Sequence, residues 1–488
     1  MKKIHEVKEK TFGAYPERIL QFGEGNFLRA FSDWMIDNAN RDGIYRGSIV
    51  LCQPKNPEPN QIIKEQNGMY TLVMRGLENG QQMEKTEVIT SVSRCINLYQ
   101  EYDDFLALAK SPDLEVIISN TTEAGITYLS GIKKEDRPPA SFPAKVTVFL
   151  HERFRAFHGD TSKGLLFLPA ELIDENGTEL KRLVLQYANE WDLEPSFSEW
   201  VEKANEFTNT LVDRIVTGFP QSDISYFEKE LGYRDDLLVT SELFNLWIIE
   251  GKKEWADKLP LHKSNENVLW TNDVRPYKKR KVRILNGAHT ATVLAAYLAG
   301  HNTVLDFMKD EAFRAFLESL IAEEIIPSLS MPEEELKSFA DSVSDRFSNP
   351  YIQHKLLDIA LNSNAKFLAR CLPSLCEYQE KYKRLPKRLT FSLAAFIRFY
   401  KVEKRENEYF SMRAENDFYP VRDAEPVLSF FEKTWTEKNP SLVAKAVLSK
   451  TELWGGKDLS EIPHLTEEVA FYLEKMESEN IRDILATL

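Results

Sequence analysis

Two hydrophobic periodicities divide the chain. Up to about residue 280, short apolar runs alternate with helix-period stretches; beyond it only the helical period continues. Arg18-Ile19-Leu20-Gln21-Phe22 reads as a first strand, followed by a glycine turn and an amphipathic run from Phe27 to Asn38. Buried strands are expected at Ser48–Cys52, Glu115–Ser119 and Leu165–Pro169, with helical patterns around Asp103–Ala109 and Lys145–Phe157. Strands separated by helices imply βαβ units on a mainly parallel sheet. Tyr70–Arg75 and Glu87–Thr90, with Glu78-Asn79-Gly80 between them, predict an inserted antiparallel hairpin. From Asn286 to Leu488 the helical segments are Asp306–Ile326, Glu333–Val343, His354–Ala369, Leu389–Tyr400 and Thr466–Met476, and no strand is expected. Turn signals at Met331-Pro332, Asn349-Pro350, Leu385-Pro386 and Trp454-Gly455-Gly456 separate them. The pattern is that of an α/β domain followed by an all-helical one.

Composition narrows the function classes. Against 76 Asp and Glu stand 62 Lys and Arg, a net charge of −14. That balance does not suit a nucleic-acid binder, whose affinity comes from neutralising phosphates. No apolar run approaches the roughly 20 residues a bilayer needs, and no apolar segment follows the charged N-terminus, so neither a membrane span nor a secretory signal is expected. Cys52, Cys95, Cys371 and Cys376 show no paired spacing. Reduced thiols and a cytoplasmic location are the expectation.

The first strand runs into Gly23-Glu24-Gly25-Asn26-Phe27-Leu28-Arg29-Ala30. Two glycines at that spacing let backbone turn tightly and approach a pyrophosphate, whose charge meets N–H groups at the start of the next helix. Leu28 stands where the third glycine of the usual fingerprint would be, and Arg29 is the first basic residue of the helix. Phe22, Gly23, Gly25, Asn26, Phe27, Leu28 and Arg29 are therefore the candidate cofactor residues. Asn120, Thr121 and Thr122, in the polar turn Ser119–Gly125, sit where such folds place the ribose and nicotinamide; a plain turn has the same composition. No acid follows the second strand: Gln53, Pro54 and Lys55 come next, which leaves NAD and NADP both open locally. The predicted organisation is a Rossmann-type dinucleotide-binding domain with an inserted hairpin over residues 1–278 and an all-helical substrate and catalytic domain over 279–488.

The richest chemistry lies at that predicted junction, where clefts form. It is Lys279-Arg280-Lys281-Val282-Arg283-Ile284-Leu285-Asn286-Gly287-Ala288-His289-Thr290. On an α-helix Asn286 and His289 share a face, and Lys281 lies about 80° from His289. A lysine amine can lend a proton to a developing alkoxide, helped by desolvation and by cationic neighbours such as Arg280 and Arg283. Asn286 can donate its amide to the same oxygen. The competing reading is a solvated basic run entering a core helix. The eight histidines show no metal-ligand spacing, and His151 and His158 read as core or surface residues of one helix.

These residues carry a resemblance. Lys281, Asn286 and His289 form the K-x4-N-x2-H pattern of the mannitol dehydrogenase family, the metal-independent long-chain polyol dehydrogenases. Phe22–Phe31 looks like that family's glycine motif, in which the third glycine is regularly absent. Within the family, residues 15–18, 21–31, 119–126, 211–218, 285–290, 346–351 and 388–391 are most similar to members acting on hexuronates. The resemblance implies hydride transfer between NAD(H) and a small sugar acid, without metal, nucleic acid or membrane partner. It also implies roles: Lys281 as general acid/base, Asn286 and Asn176 polarising the carbonyl, His289 orienting hydroxyls, and Asp213 holding or relaying near the lysine. Polyol-specific members tend to carry an arginine eight positions before the equivalent of Lys366; here that position is Asp358. The cation for a uronate carboxylate is then expected from Lys366, Arg346 or Arg283. A redox-inert dinucleotide sensor is the competing class, and it has no use for the Lys–Asn–His set.

Overall fold

The computed structural model describes residues 1–54, 61–78, 80–122 and 124–488. They form two compact units, Met1–Arg75 with Gln82–Arg275, and Gly76–Gln81 with Pro276–Leu488.

The strands in chain order are β1 (Glu17–Phe22), β2 (Ser48–Gln53), β3 (Tyr70–Glu78), β4 (Gln81–Ile89), β5 (Val92–Asn97), β6 (Val116–Ser119), β7 (Leu166–Pro169) and β8 (Glu206–Phe207). They continue with β9 (Asn209–Asp213), β10 (Val216–Gly218), β11 (Val239–Ser241), β12 (Leu246–Glu250) and β13 (Val268–Thr271). In the first unit a six-stranded sheet runs β5-β2-β1-β6-β7-β8, and its neighbouring strands are parallel. This is the doubly wound order, with the switch point between β1 and β6. Ile19, Ile49, Leu51 and Val116 point to one face, into a core with Met35 and Ile36; Leu20, Phe22, Val50 and Ile117 point to the other, against Phe105 and Phe149. A sheet buried on both faces needs apolar side chains in both directions, which is why these strands read as continuous apolar runs.

The inserted hairpin, β3 and β4, is longer than its apolar pattern indicated and belongs to a four-stranded sheet, β10-β11-β3-β4. Three further strands form the sheet β13-β12-β9. The amphipathic run after the glycine turn is two helices, Asn26–Arg29 and Ser32–Arg41, interrupted at Phe31 with φ −125° and ψ −86°. The buried Ser32 hydroxyl lies 3.1 Å from the Gln21 side-chain oxygen, which ties the second helix to β1.

The second unit is mainly helical, as the periodicity predicts, with one correction. β14 (Glu403–Arg405), β15 (Glu408–Ala414) and β16 (Asp417–Pro420) form an antiparallel meander where no strand was expected. β14 is exposed and all polar, so it has no apolar alternation to reveal it. The segment 354–369 also divides, into Leu356–Ile359 and Ser363–Arg370, because Asn362 takes the left-handed φ of 54°. Among the described residues no helix is long and apolar enough to cross a membrane.

Arg153 ties the first unit together. It is 1% exposed, and its guanidinium donates to the carbonyls of Lys163, Ala109, Ser111 and Leu114 at 2.7–3.0 Å. Burial pulls its pKa down to about 10, still charged at neutral pH. Arg153→Ala is expected to lower stability by about 3–5 kcal/mol, because it orphans buried carbonyls. Urea unfolding with an unchanged m-value checks this; a loss below 1 kcal/mol contradicts it.

Candidate active site

In the first unit the glycine turn closes on the switch point. The Gly23 N–H donates to Cys52 O and the Asn120 N–H to Phe22 O, joining the ends of β1, β2 and β6. Gly23 has φ +122°, and a Cβ there would stand 3.2 Å from the Asn120 carbonyl oxygen and 3.4 Å from the Leu28 side chain. At Gly25 a Cβ would meet nothing within 4 Å. Bare backbone beside open space at the switch point fits a dinucleotide pyrophosphate.

The side chains around this turn are mostly committed to the protein, which leaves backbone and open space as what the turn offers a cofactor. Arg29 is buried and donates to Glu24 O, Leu237 O and Asn26 Oδ1 at 3.2, 2.5 and 2.6 Å, with its guanidinium 5.0 Å above the Tyr70 ring. It braces the loop instead of facing a phosphate. Beneath it Tyr70 donates to Asp33 at 3.2 Å, and burial pushes the Asp33 carboxyl up to about 7. Phe27 stacks on Phe31 at 5.1 Å, and Phe22 packs on Phe105 and Phe142. The Asn120 amide donates to Ala170 O at 2.9 Å, and both N–H and hydroxyl of Thr121 donate to Glu171 at 3.0 Å. Thr122 holds φ 82°. Gln53 is buried beside Asn97; Lys55 lies outside the described residues.

Asn176 is likewise held by the protein. It is fully buried, its amide donates to Pro169 O at 3.0 Å and Glu171 O at 3.1 Å, and its oxygen accepts from Thr210 N at 2.9 Å. With both ends of the amide held by backbone, it fixes the exit of β7 against β9 and has no donor to spare for a substrate carbonyl. Asp213 is a buried residue of β9 with partners of its own.

In the second unit the Lys281–Gly287 stretch is a π-helical turn leading into the α-helix Ala288–Leu298. An α-helix advances about 100° per residue and would set Lys281 and Asn286 roughly 140° apart. The i→i+5 turn, at about 80° per residue, returns position 286 to roughly 50° from position 281. Gly287 permits the packing: a Cβ would stand 3.1 Å from Arg370 O and 3.3 Å from Val282 O. Its carbonyl accepts from the Cys371 thiol at 3.4 Å, and burial pushes that thiol up to about 12, so it is a neutral donor. Lys281 and Asn286 are half-buried. Among the described residues the Asn286 amide has no hydrogen-bond partner, whereas Lys281 does interact with neighbours.

The basic run is not a solvated face. Arg280 and Arg283 are buried. Arg283 donates to Ser374 Oγ at 2.7 Å and Glu377 at 3.0 Å, and Lys279 shares that carboxylate at 3.1 Å. Arg283 is thus neutralised by Glu377, which removes it from the expected carboxylate binders. His289 stacks on Phe347 at 4.0 Å and meets the His354 ring edge-on at 5.5 Å, and its buried Nε2 has no partner. Burial, with the positive surroundings of His354, Arg346, Arg370 and Lys366, holds its pKa well below 6.5. Arg370 and His354 belong to this cluster, and spacing alone gave no reason to single them out.

A doubly wound sheet with a bare glycine turn, and a helical unit presenting Lys281, Asn286 and His289, define a long-chain dehydrogenase; the chain belongs to the mannitol dehydrogenase family. The family's Rossmann domain matches residues 17–263 and its C-terminal domain residues 273–477. Altronate oxidoreductases of Shigella flexneri and of Escherichia coli O6:K15:H31 are each 45% identical over 480 residues, 97% of both chains. The fold is shared with the Pseudomonas fluorescens mannitol 2-dehydrogenase ternary complex with NAD and D-mannitol, at TM-score 0.66 and 20% identity over 98% of this chain and 95% of that one. A D-sorbitol dehydrogenase in substrate-free form gives 0.78 at 19% identity over 99% of each.

The depressed pKa of His289 sets a pH dependence. In the unfolded chain this imidazole takes a proton below about 6.5; in the folded chain it stays neutral. Its contribution is absent above that pH and destabilising below it. Urea midpoints are expected to fall between pH 7.5 and pH 5.5, and to fall less in His289→Asn. An equal fall in both proteins contradicts a buried neutral His289.

Proposed function

We propose that this chain reduces D-tagaturonate to D-altronate with NADH, an altronate oxidoreductase activity serving galacturonate breakdown in the cytoplasm. The observation that carries the reading is its 45% identity, over 97% of both chains, to altronate oxidoreductases. When bound, the reduced nicotinamide supplies the hydride.

The chain's own residues do the rest. The Gly23–Gly25 backbone admits the pyrophosphate without a side chain in the way. Lys281, as ammonium, gives a proton to the carbonyl oxygen as that oxygen becomes negative, and takes one back when altronate is oxidised. Asn286, with its free amide, donates to the same oxygen, the π turn having set it on the lysine's side. His289, held neutral, orients substrate hydroxyls through its unpartnered Nε2. NAD is assigned from family membership, since Gln53 and Pro54 at the end of β2 select neither nicotinamide by charge.

The test is NADH absorbance in a mixture of protein, NADH and a panel of tagaturonate, fructuronate and fructose. Fastest oxidation with tagaturonate is expected. Fastest reduction of fructuronate or fructose overturns the substrate assignment, and NADH binding with no oxidation points to a sensor. Lys281→Ala is expected to lower turnover by roughly two to four decades with NADH affinity unchanged. Near-normal turnover in that variant removes the acid/base assignment.

A further inference from the structure

Of the candidate cations for a substrate carboxylate in the second unit, Arg283, Lys366 and Arg346 already have protein partners. Arg283 is paired with Glu377 and Ser374. The Lys366 ammonium donates to Ile359 O at 2.8 Å. Arg346, at the end of the helix Glu333–Phe347, is buried among interactions of its own. Arg370 differs. It ends the helix Ser363–Arg370, is half-buried, and makes a single long hydrogen bond, 3.4 Å from Nη1 to Thr290 Oγ1. Among the described residues no carboxylate lies within ion-pair distance of it. Four of its five N–H donors are therefore uncommitted.

A guanidinium taken partly out of water without an anion costs free energy that the protein alone does not recover. Its position explains the retention. Thr290 follows His289 directly, and the Arg370 carbonyl is the atom against which Gly287 packs. The Arg370 backbone is thus seated against the turn bearing Lys281 and Asn286, its side chain is tethered to Thr290, and its charge is among those acting on the His289 ring. The planar fork matches the two oxygens of a carboxylate bidentately and pairs with its charge, whereas a polyol's hydroxyls offer acceptors without charge.

We propose that Arg370 is the specificity-determining residue that binds the substrate's carboxylate, a step that rests on the sugar-acid reading above. The carboxylate accepts two N–H bonds from the guanidinium while Thr290 steadies the remaining side, and the substrate's chain then extends from the acid end toward His289 and Asn286.

The test compares wild type, Arg370→Met and Arg370→Lys in NADH-dependent reduction of tagaturonate, with NADH affinity measured by nucleotide fluorescence. Arg370→Met is expected to raise KM about a hundredfold with kcat changed by less than tenfold and NADH affinity unchanged. Arg370→Lys, which keeps charge but loses the fork, falls between, and millimolar guanidinium is expected to lower the raised KM of Arg370→Met. An unchanged KM in folded Arg370→Met overturns the assignment. Should that variant fail to fold, Arg370→Lys decides: a KM within twofold of wild type overturns it. A wild type inactive on tagaturonate but bound by altronate in calorimetry overturns the functional reading alone, and Arg370→Lys must then weaken altronate binding; a wild type that neither reduces tagaturonate nor binds altronate overturns both.

Discussion

The relative placement of Lys281 and Asn286 in the helical unit rests on one irregularity, the π turn from Lys281 to Gly287. An ordinary helix through these residues would put the lysine and the asparagine on different sides. The wider turn sets them on one side, and two contacts accompany it: glycine at 287, whose missing Cβ lets the Arg370 backbone approach, and the Cys371 thiol, which satisfies the Gly287 carbonyl. An irregular turn of this kind persists where surrounding packing stabilises it, and it is common at functional sites. The same packing seats Arg370 against the turn, so Lys281, Asn286 and Arg370 share one support.

The first unit is organised on the opposite plan. Around the glycine turn nearly every polar side chain is used inside the protein: Arg29 on carbonyls, Asn120 on Ala170, Thr121 on Glu171, Asn176 on three backbone groups. What remains for a cofactor is backbone and space. That division suits a dinucleotide whose pyrophosphate is met by N–H groups and whose position must be held rigidly for hydride transfer.

Much of this was legible in the residues, and the exceptions have physical causes. β1, β2, β6 and β7 announce themselves because burial on both faces demands apolar residues throughout. β14 does not, being exposed and charged. The π turn leaves no readable mark on hydrophobic periodicity, since seven positions are too few to tell a step of about 80° per residue from one of about 100°. Asn176 and Arg29 have side chains suited to ligand binding, and only their three-dimensional partners show them to be scaffold. Arg370 is the converse: one arginine among many in the sequence, set apart by having, among the described residues, no acid within ion-pair distance.

In the proposed mechanism the π turn aims Lys281 and Asn286 at one oxygen. A double-mutant cycle on turnover tests it most directly, using Lys281→Ala, Asn286→Ala and the pair. If both act on the same oxygen, the pair is scarcely slower than Lys281→Ala alone. Two losses that multiply would show the residues acting independently, and the account of the turn would be wrong.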